Sequence, residues 1–100
     1  MAMVIEWQRV KVRPETRERY LEKDAEIWTA GLESEPGFLG KEVWLGEDGE
    51  VVLILRWRSR EEWQGIAPER LAELERRFRR EIPDEAHEVV ECKAYEVAGE

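Results

Sequence analysis

The chain has 100 residues, a length that suits one domain spanning 1–100, and 40% of them are charged, against about a quarter in an average soluble domain. Lys and Arg number 16 and Asp and Glu 24, a net charge of −8 that disfavours nucleic acid and anionic membrane as partners. No apolar run is long enough to span a bilayer, Met1-Ala2-Met3 does not read as a secretion signal, and Cys92 is the only cysteine; the expectations are a cytoplasmic protein, no internal disulfide and no cysteine metal cluster.

The chain has no Asn, its Gln residues are Gln8 and Gln64, and its charges are mainly Glu and Arg. That mix fits a heat-adapted protein. The first element is a strand over Val4 to Val12. It alternates Val4, Glu6, Gln8, Val10 and Val12 against Ile5, Trp7, Arg9 and Lys11. Pro14 opens a helix, with Glu15 placed to favour its N-terminus. Tyr20, Leu21, Ala25, Trp28 and Leu32 recur at helical spacing and predict one buried stripe. The helix ends around Gly31 to Ser34, before Pro36.

Glu35 to Arg58 reads as a β-hairpin turning at Asp48-Gly49, a pair suited to the positive φ angles of a tight primed turn. A two-residue loop there pairs Glu47 with Glu50, Trp44 with Leu53, Glu42 with Leu55 and Gly40 with Trp57. One face would then carry Phe38, Gly40, Glu42, Trp44, Val51, Leu53, Leu55 and Trp57. The other would carry Leu39, Lys41, Val43, Leu45, Val52, Ile54, Arg56 and Arg58. Val51 to Leu55 is apolar on both faces, whereas a strand with one wet face should alternate. Two short helices can cover one side, so the other is expected to meet a second copy of the chain.

Ser59-Arg60-Glu61-Glu62 matches a capping box for a short helix carrying Trp63. Pro68 restarts a helix with the stripe Leu71, Leu74, Phe78 and Ile82, and Pro83 stops it. Glu88 to Val97 alternates as a last strand whose polar mixture suggests an edge or an interface. The order β-α-β-β-α-β predicts a ferredoxin-like α+β subunit: a four-stranded antiparallel sheet with both helices on one face.

Pro36-Gly37-Phe38-Leu39-Gly40 and Trp57-Arg58-Ser59-Arg60-Glu61-Glu62-Trp63, in this order of elements, resemble the antibiotic biosynthesis monooxygenase superfamily over about residues 3 to 97. The resemblance implies a dimeric α+β barrel, two sheets packed face to face, with a pocket in each subunit between helices and sheet. It also implies a range of roles, among them cofactor-free quinol oxygenation and haem degradation, between which fold alone does not choose. The haem-degrading branch uses an Asn on the first strand, then a Trp and a His on the helix after the third. Here those positions fall at Gln8, Ile66 and Arg76, and none matches. His87 is the only histidine and lies by the last strand, which disfavours a haem needing an axial ligand.

The remaining chemistry is sparse. A Ser-His-Asp triad would need His87 beside Ser34 or Ser59, and Ser59 already serves as a cap. One His and one Cys among scattered Glu give no metal-ligand spacing. Cys92 reads as a small buried apolar residue, and His87 as a surface residue at a strand start. The five tryptophans stand out. Packing accounts for aromatics in most proteins, but Trp28, Trp44, Trp57 and Trp63 also suit the wall of a pocket for a flat aromatic ligand. Gln8 and Glu42 would be its polar contacts, with Ile66 on the same wall. Glu42 would act as a base if buried; paired with an Arg at the surface, it would not.

The sequence therefore points to a cofactor-free homodimer that binds a small aromatic ligand or acts as a cofactor-independent monooxygenase. The competing reading, from a different class, is a non-catalytic dimeric interaction or stress-related module. Haem binding or degradation ranks below both.

Overall fold

The structure, a computed structural model, describes residues 2–99. Strand β1 (Val4–Val12) is followed by a helical run of four pieces: a 3-10 turn at Pro14–Thr16, α1 (Arg17–Lys23), a π-helical segment at Asp24–Thr29 and α2 (Ala30–Leu32). The hairpin is β2 (Phe38–Leu45) and β3 (Glu50–Trp57). Helices α3 (Arg60–Gln64) and α4 (Pro68–Glu81) lead through a 3-10 turn at Asp84–Ala86 to β4 (His87–Glu96). The strands form one sheet in the order β2-β3-β1-β4 with every neighbouring pair antiparallel. This is the ferredoxin-like α+β arrangement.

Local chemistry explains the element ends. Pro14 and Pro68 sit in the first turns of their helical runs, where a missing N–H costs nothing. The Ser59 hydroxyl accepts from the Glu62 backbone N–H at 3.2 Å and caps α3. Arg70, near the start of α4, donates to the Gly31 carbonyl in α2 at 3.0 Å. Gly31 also lets the two helical layers touch, since an added Cβ would lie 2.5 Å from a methyl of buried Leu74.

The core lies between the helices and one sheet face. Val4, Val10 and Val12 of β1 and Val51, Leu53, Leu55 and Trp57 of β3 pack under Tyr20, Ile27, Leu32, Leu74, Phe78 and Ile82. Burial of each large apolar side chain contributes about 1.5–3 kcal/mol. The helical stripe differs from the expected one at a single turn: Asp24 and Ile27 are buried and Ala25 is exposed. Asp24 tolerates burial because it meets a cation there.

The hairpin corrects the expected register. Asp48 and Gly49 do form the turn, both at positive φ (54° and 78°). However, Glu50 accepts from Gly46 N–H and donates its own N–H to the Glu47 carbonyl. Glu47 is thus an extra residue in the loop, and β2 slides by one against β3. The pairs are Gly40–Arg56, Lys41–Leu55, Glu42–Ile54, Val43–Leu53, Trp44–Val52 and Leu45–Val51. A one-residue slip exchanges the faces of a strand. Lys41 therefore points to the helix side, and Glu42 and Trp44 to the outer side. A second irregularity between Phe38 and Gly40 restores Phe38 to the face of Trp57; their ring centroids are 5.2 Å apart.

The outer face carries Ile5, Trp7, Arg9, Glu42, Trp44, Val52, Ile54, Arg56, Lys93 and Tyr95. Val52 and Ile54 are buried although no helix lies over them. Their neighbours shield them: Arg9 spans Glu50 and Glu91, Arg56 meets Glu42, and Lys93 lies over the Trp7 ring. Long side chains of this kind cover apolar surface with their stems while their charges stay wet. Trp44 and Tyr95 remain half exposed, at 50% and 48%.

Candidate functional site

A cleft of about 500 Å³ opens between the helical layer and the inner face of the sheet. Its size falls within the range of small-molecule sites, roughly 300–1,000 Å³. The sheet supplies Glu6 and Gln8 from β1, Lys41 from β2, Leu53, Leu55 and Trp57 from β3, and His87 from the start of β4. The helical layer and its connections supply Tyr20, Asp24, Trp28, Trp63, Ile66 and Phe78.

Five of the residues singled out from sequence, Gln8, Trp28, Trp57, Trp63 and Ile66, line this cleft together. Glu42 and Trp44 do not, because the displaced β2 register turns them to the outer face. There the Glu42 carboxylate accepts from Trp44 Nε1 at 3.0 Å and Arg56 Nη2 at 2.9 Å. Those hydrogen bonds, Trp44's first, hold its pKa below the usual carboxylate range. Glu42 is thus a surface carboxylate paired with Arg56 and no buried base.

The polar features of the cleft follow from burial. The Glu6 carboxylate accepts from Gln8 Nε2 at 2.9 Å and from Trp57 Nε1 at 3.4 Å. This fixes the amide and the largest buried ring on the floor. Lys41 Nζ donates to Asp24 Oδ2 at 2.6 Å, with both side chains only 4% exposed. Tyr20 is buried beside Asp24. Desolvation, and then the neighbouring negative charge, push its phenol well above the normal range, so Tyr20 stays protonated and cannot serve as a base at neutral pH.

Sequence reading missed Asp24, Lys41, Glu6 and Tyr20 as wall residues. For Lys41 the obstacle was the hairpin register. For Asp24 a usable signal existed: an acid four residues after Tyr20, on the stripe otherwise filled by Ile27 and Leu32. His87 begins β4 as expected but is no plain surface residue. Its ring packs 5.4 Å from Tyr20 and 5.7 Å from Phe78. Desolvation lowers its pKa, with Asp84 and then Glu75 opposing. Cys92 is exposed, not buried, because the edge strand β4 extends past the cover of the helices. Partial desolvation raises its thiol pKa, which keeps it protonated near neutral pH. Among the described residues no group of three or more His, Cys, Asp or Glu is placed to hold a metal ion, and no helix is long and apolar enough to cross a membrane.

The family model for antibiotic biosynthesis monooxygenases matches residues 3–65. Solved structures align over nearly the full length. A variant of SnoaB, a cofactor-independent oxygenase from Streptomyces nogalater, superimposes with a TM-score of 0.76 at 16% identity, covering 98% of this chain and 95% of that one. The ActVA-Orf6 monooxygenase of Streptomyces coelicolor, in complex with nanaomycin D, gives 0.75 at 19% identity over 99% and 90%. A protein of this monooxygenase type from Chloroflexus aurantiacus gives 0.68 at 18% identity over 98% and 95%. At such identities the likeness is one of fold. No curated protein matches the sequence significantly.

Proposed function

Because this chain belongs to the antibiotic biosynthesis monooxygenase family, we propose that its cleft binds a flat, electron-rich aromatic molecule and promotes that molecule's oxygenation without a cofactor. The supporting observation is the wall itself. Trp28 and Trp63 present part-exposed rings to one open space, with Trp57, Tyr20 and Phe78 on the same wall but each 4% exposed or less. An aromatic cage of this shape suits stacking and edge contacts with a planar ring, and it remains open where side chains could have filled it.

In such a reaction the substrate supplies both electrons and both hydrogens. One oxygen atom of O₂ enters the product and the other leaves as water. The protein's part is to hold the ring flat, exclude bulk water and offer fixed polar contacts to the reacting oxygen substituents. SnoaB, described as a cofactor-independent oxygenase, is consistent with this class. So is ActVA-Orf6 with its bound nanaomycin D.

The test is a panel of hydroxylated bicyclic and tricyclic aromatics, followed by quenching of tryptophan fluorescence and by oxygen uptake with chelator present and flavin absent. Saturable quenching with stoichiometric oxygen consumption is the expected result. Absence of quenching across the panel would overturn the binding reading. Quenching without oxygen uptake would reduce the protein to a carrier or sensor.

Self-association through the outer sheet face belongs to the same proposal. Trp44 and Tyr95 are large apolar groups left half exposed on that face, next to the buried Val52 and Ile54. A second copy would cover them, giving a homodimer in which the two clefts face away from the shared sheets.

A further inference from the structure

A hydroxylated aromatic gives up electrons to O₂ far more readily once its hydroxyl has lost a proton, so a base on the cleft wall would matter to the chemistry. The acids there are engaged. Glu6 accepts from Gln8 and Trp57, Asp24 from Lys41, and Glu75 lies 3.3 Å from Arg79. Tyr20 stays protonated. His87 lines the same cleft and belongs to none of these pairs. Its Nδ1 is buried without a hydrogen-bond partner among the described residues, which leaves Nε2 as the nitrogen that can meet a ligand.

The surroundings suit that task. Tyr20 of α1 and Phe78 of α4 hold the imidazole from two sides, and its partner on β1 is the apolar Val12. The charges that act on it are Glu75 of α4 and Asp84 of the 3-10 turn. Both are negative and steady the imidazolium that forms when a proton arrives. Burial is the larger influence and keeps the resting ring neutral near neutral pH, the form a base requires. Either neutral tautomer leaves Nδ1 unpaired, so the one with its lone pair at Nε2 carries no added penalty of that kind. Val89 follows on the same wall and is 54% exposed, so a proton taken here has water nearby.

We propose that His87 is the general base of the cleft, taking the proton of a ligand hydroxyl at Nε2. The ligand O–H bond breaks, its electron pair stays on the ligand oxygen, and an N–H bond forms. The oxyanion is then oxidised by O₂. The proton held on His87 is one of the two hydrogens that leave with the second oxygen atom as water, which returns the ring to its neutral state. The inference rests on the oxygenation proposed above and goes further in assigning its proton transfer to one side chain.

The probe is the dihydroxynaphthalene whose oxygenation gives juglone and water, a coloured product and a balanced reaction with one O₂. Binding is read by tryptophan quenching and turnover by juglone formation above the rate without protein. In the native chain kcat should fall as pH drops through the folded pKa of His87, below about 6.5. His87→Gln, checked for folding by circular dichroism, should bind the probe with similar affinity, turn over about a hundredfold or more slowly and lose that acid limb. His87→Ala should regain part of its rate with added imidazole, which a merely structural role would not give. A folded His87→Gln with the native rate or the native acid limb, or no rescue of a folded His87→Ala, overturns the base and leaves the oxygenation intact. A native chain that binds the probe and forms no juglone overturns the oxygenation and the base with it.

Discussion

His87 has its ring set against Tyr20 and Phe78, and its Nδ1 is buried without a hydrogen-bond partner among the described residues. Desolvation lowers its folded pKa below the ordinary imidazole value, against the opposing pull of Asp84 and Glu75. The sign of the pH effect follows. Above about pH 6.5 the ring is neutral in folded and unfolded chains, and its packing contributes in full. As pH falls, the unfolded chain takes up the proton first, so stability is lost through the folded pKa. Glu42, Glu62 and Glu91 have lowered pKa values, led by hydrogen bonds from Trp44, Arg58 and Lys93 respectively. Their losses begin at lower pH, below about 4.5. Between about pH 7 and 5 the urea midpoint should therefore decline in the native chain. It should decline less in His87→Phe, whose ring fits the same aromatic surroundings. Parallel declines in both proteins would remove His87 as the cause.

At the scale of elements, the turn and the pairing it sets were unequally legible. Asp48-Gly49 announces a turn by chemistry, and the turn forms there. Loop length is not announced. Gly46 beside Glu47 admits an extra residue as readily as a tight pair, and that one residue decides which of Lys41 and Glu42 enters the cleft. The π turn was hidden for a related reason. Tyr20, Trp28 and Leu32 fit an ordinary helix, and no residue type marks a wider turn. The caps and prolines read correctly, and the apolar stripes did except at Ala25 and Leu71, which are exposed, because each depends on a few adjacent residues. Gly49 has no room for a side chain. Its φ is +78°, and an added Cβ would lie 2.3 Å from the Val12 carbonyl oxygen, next to the bond from Val12 N–H to the Gly49 carbonyl. Gly49→Ala incurs about 1–2 kcal/mol for the left-handed backbone, and the end of β1 must also shift. The denaturation midpoint should fall accordingly. Asp48→Gly, at the other positive-φ position, should leave it level or slightly higher. Equal effects from the two substitutions would mean that neither the left-handed backbone nor the contact with β1 contributes.

For the whole molecule, the strand Val51 to Leu55 was the reason to expect a partner, yet part of that reason dissolves on inspection. Val52 and Ile54 are already shielded by Arg9, Arg56 and their neighbours within one chain. What still calls for cover on the outer face is the exposed area of Trp44 and Tyr95. A specific homodimer needs about 800 Å² buried on each copy, more than two side chains provide, so the rest of the outer face must join them. Buried aromatics usually carry most of the energy in such contacts. Trp44→Arg should then weaken association by about 2 kcal/mol or more, roughly thirtyfold in the dissociation constant. Val43 supplies the control. It is the adjacent residue, also part exposed at 40%, but it faces the helix side opposite Leu53. Light scattering across a dilution series should show Trp44→Arg shifting to monomer at concentrations where Val43→Arg and the native chain remain dimeric. A native chain that stays monomeric throughout would refute the doubled sheet. Dissociation by Val43→Arg in place of Trp44→Arg would move the interface to the β2 edge and its inner side, beside the cleft.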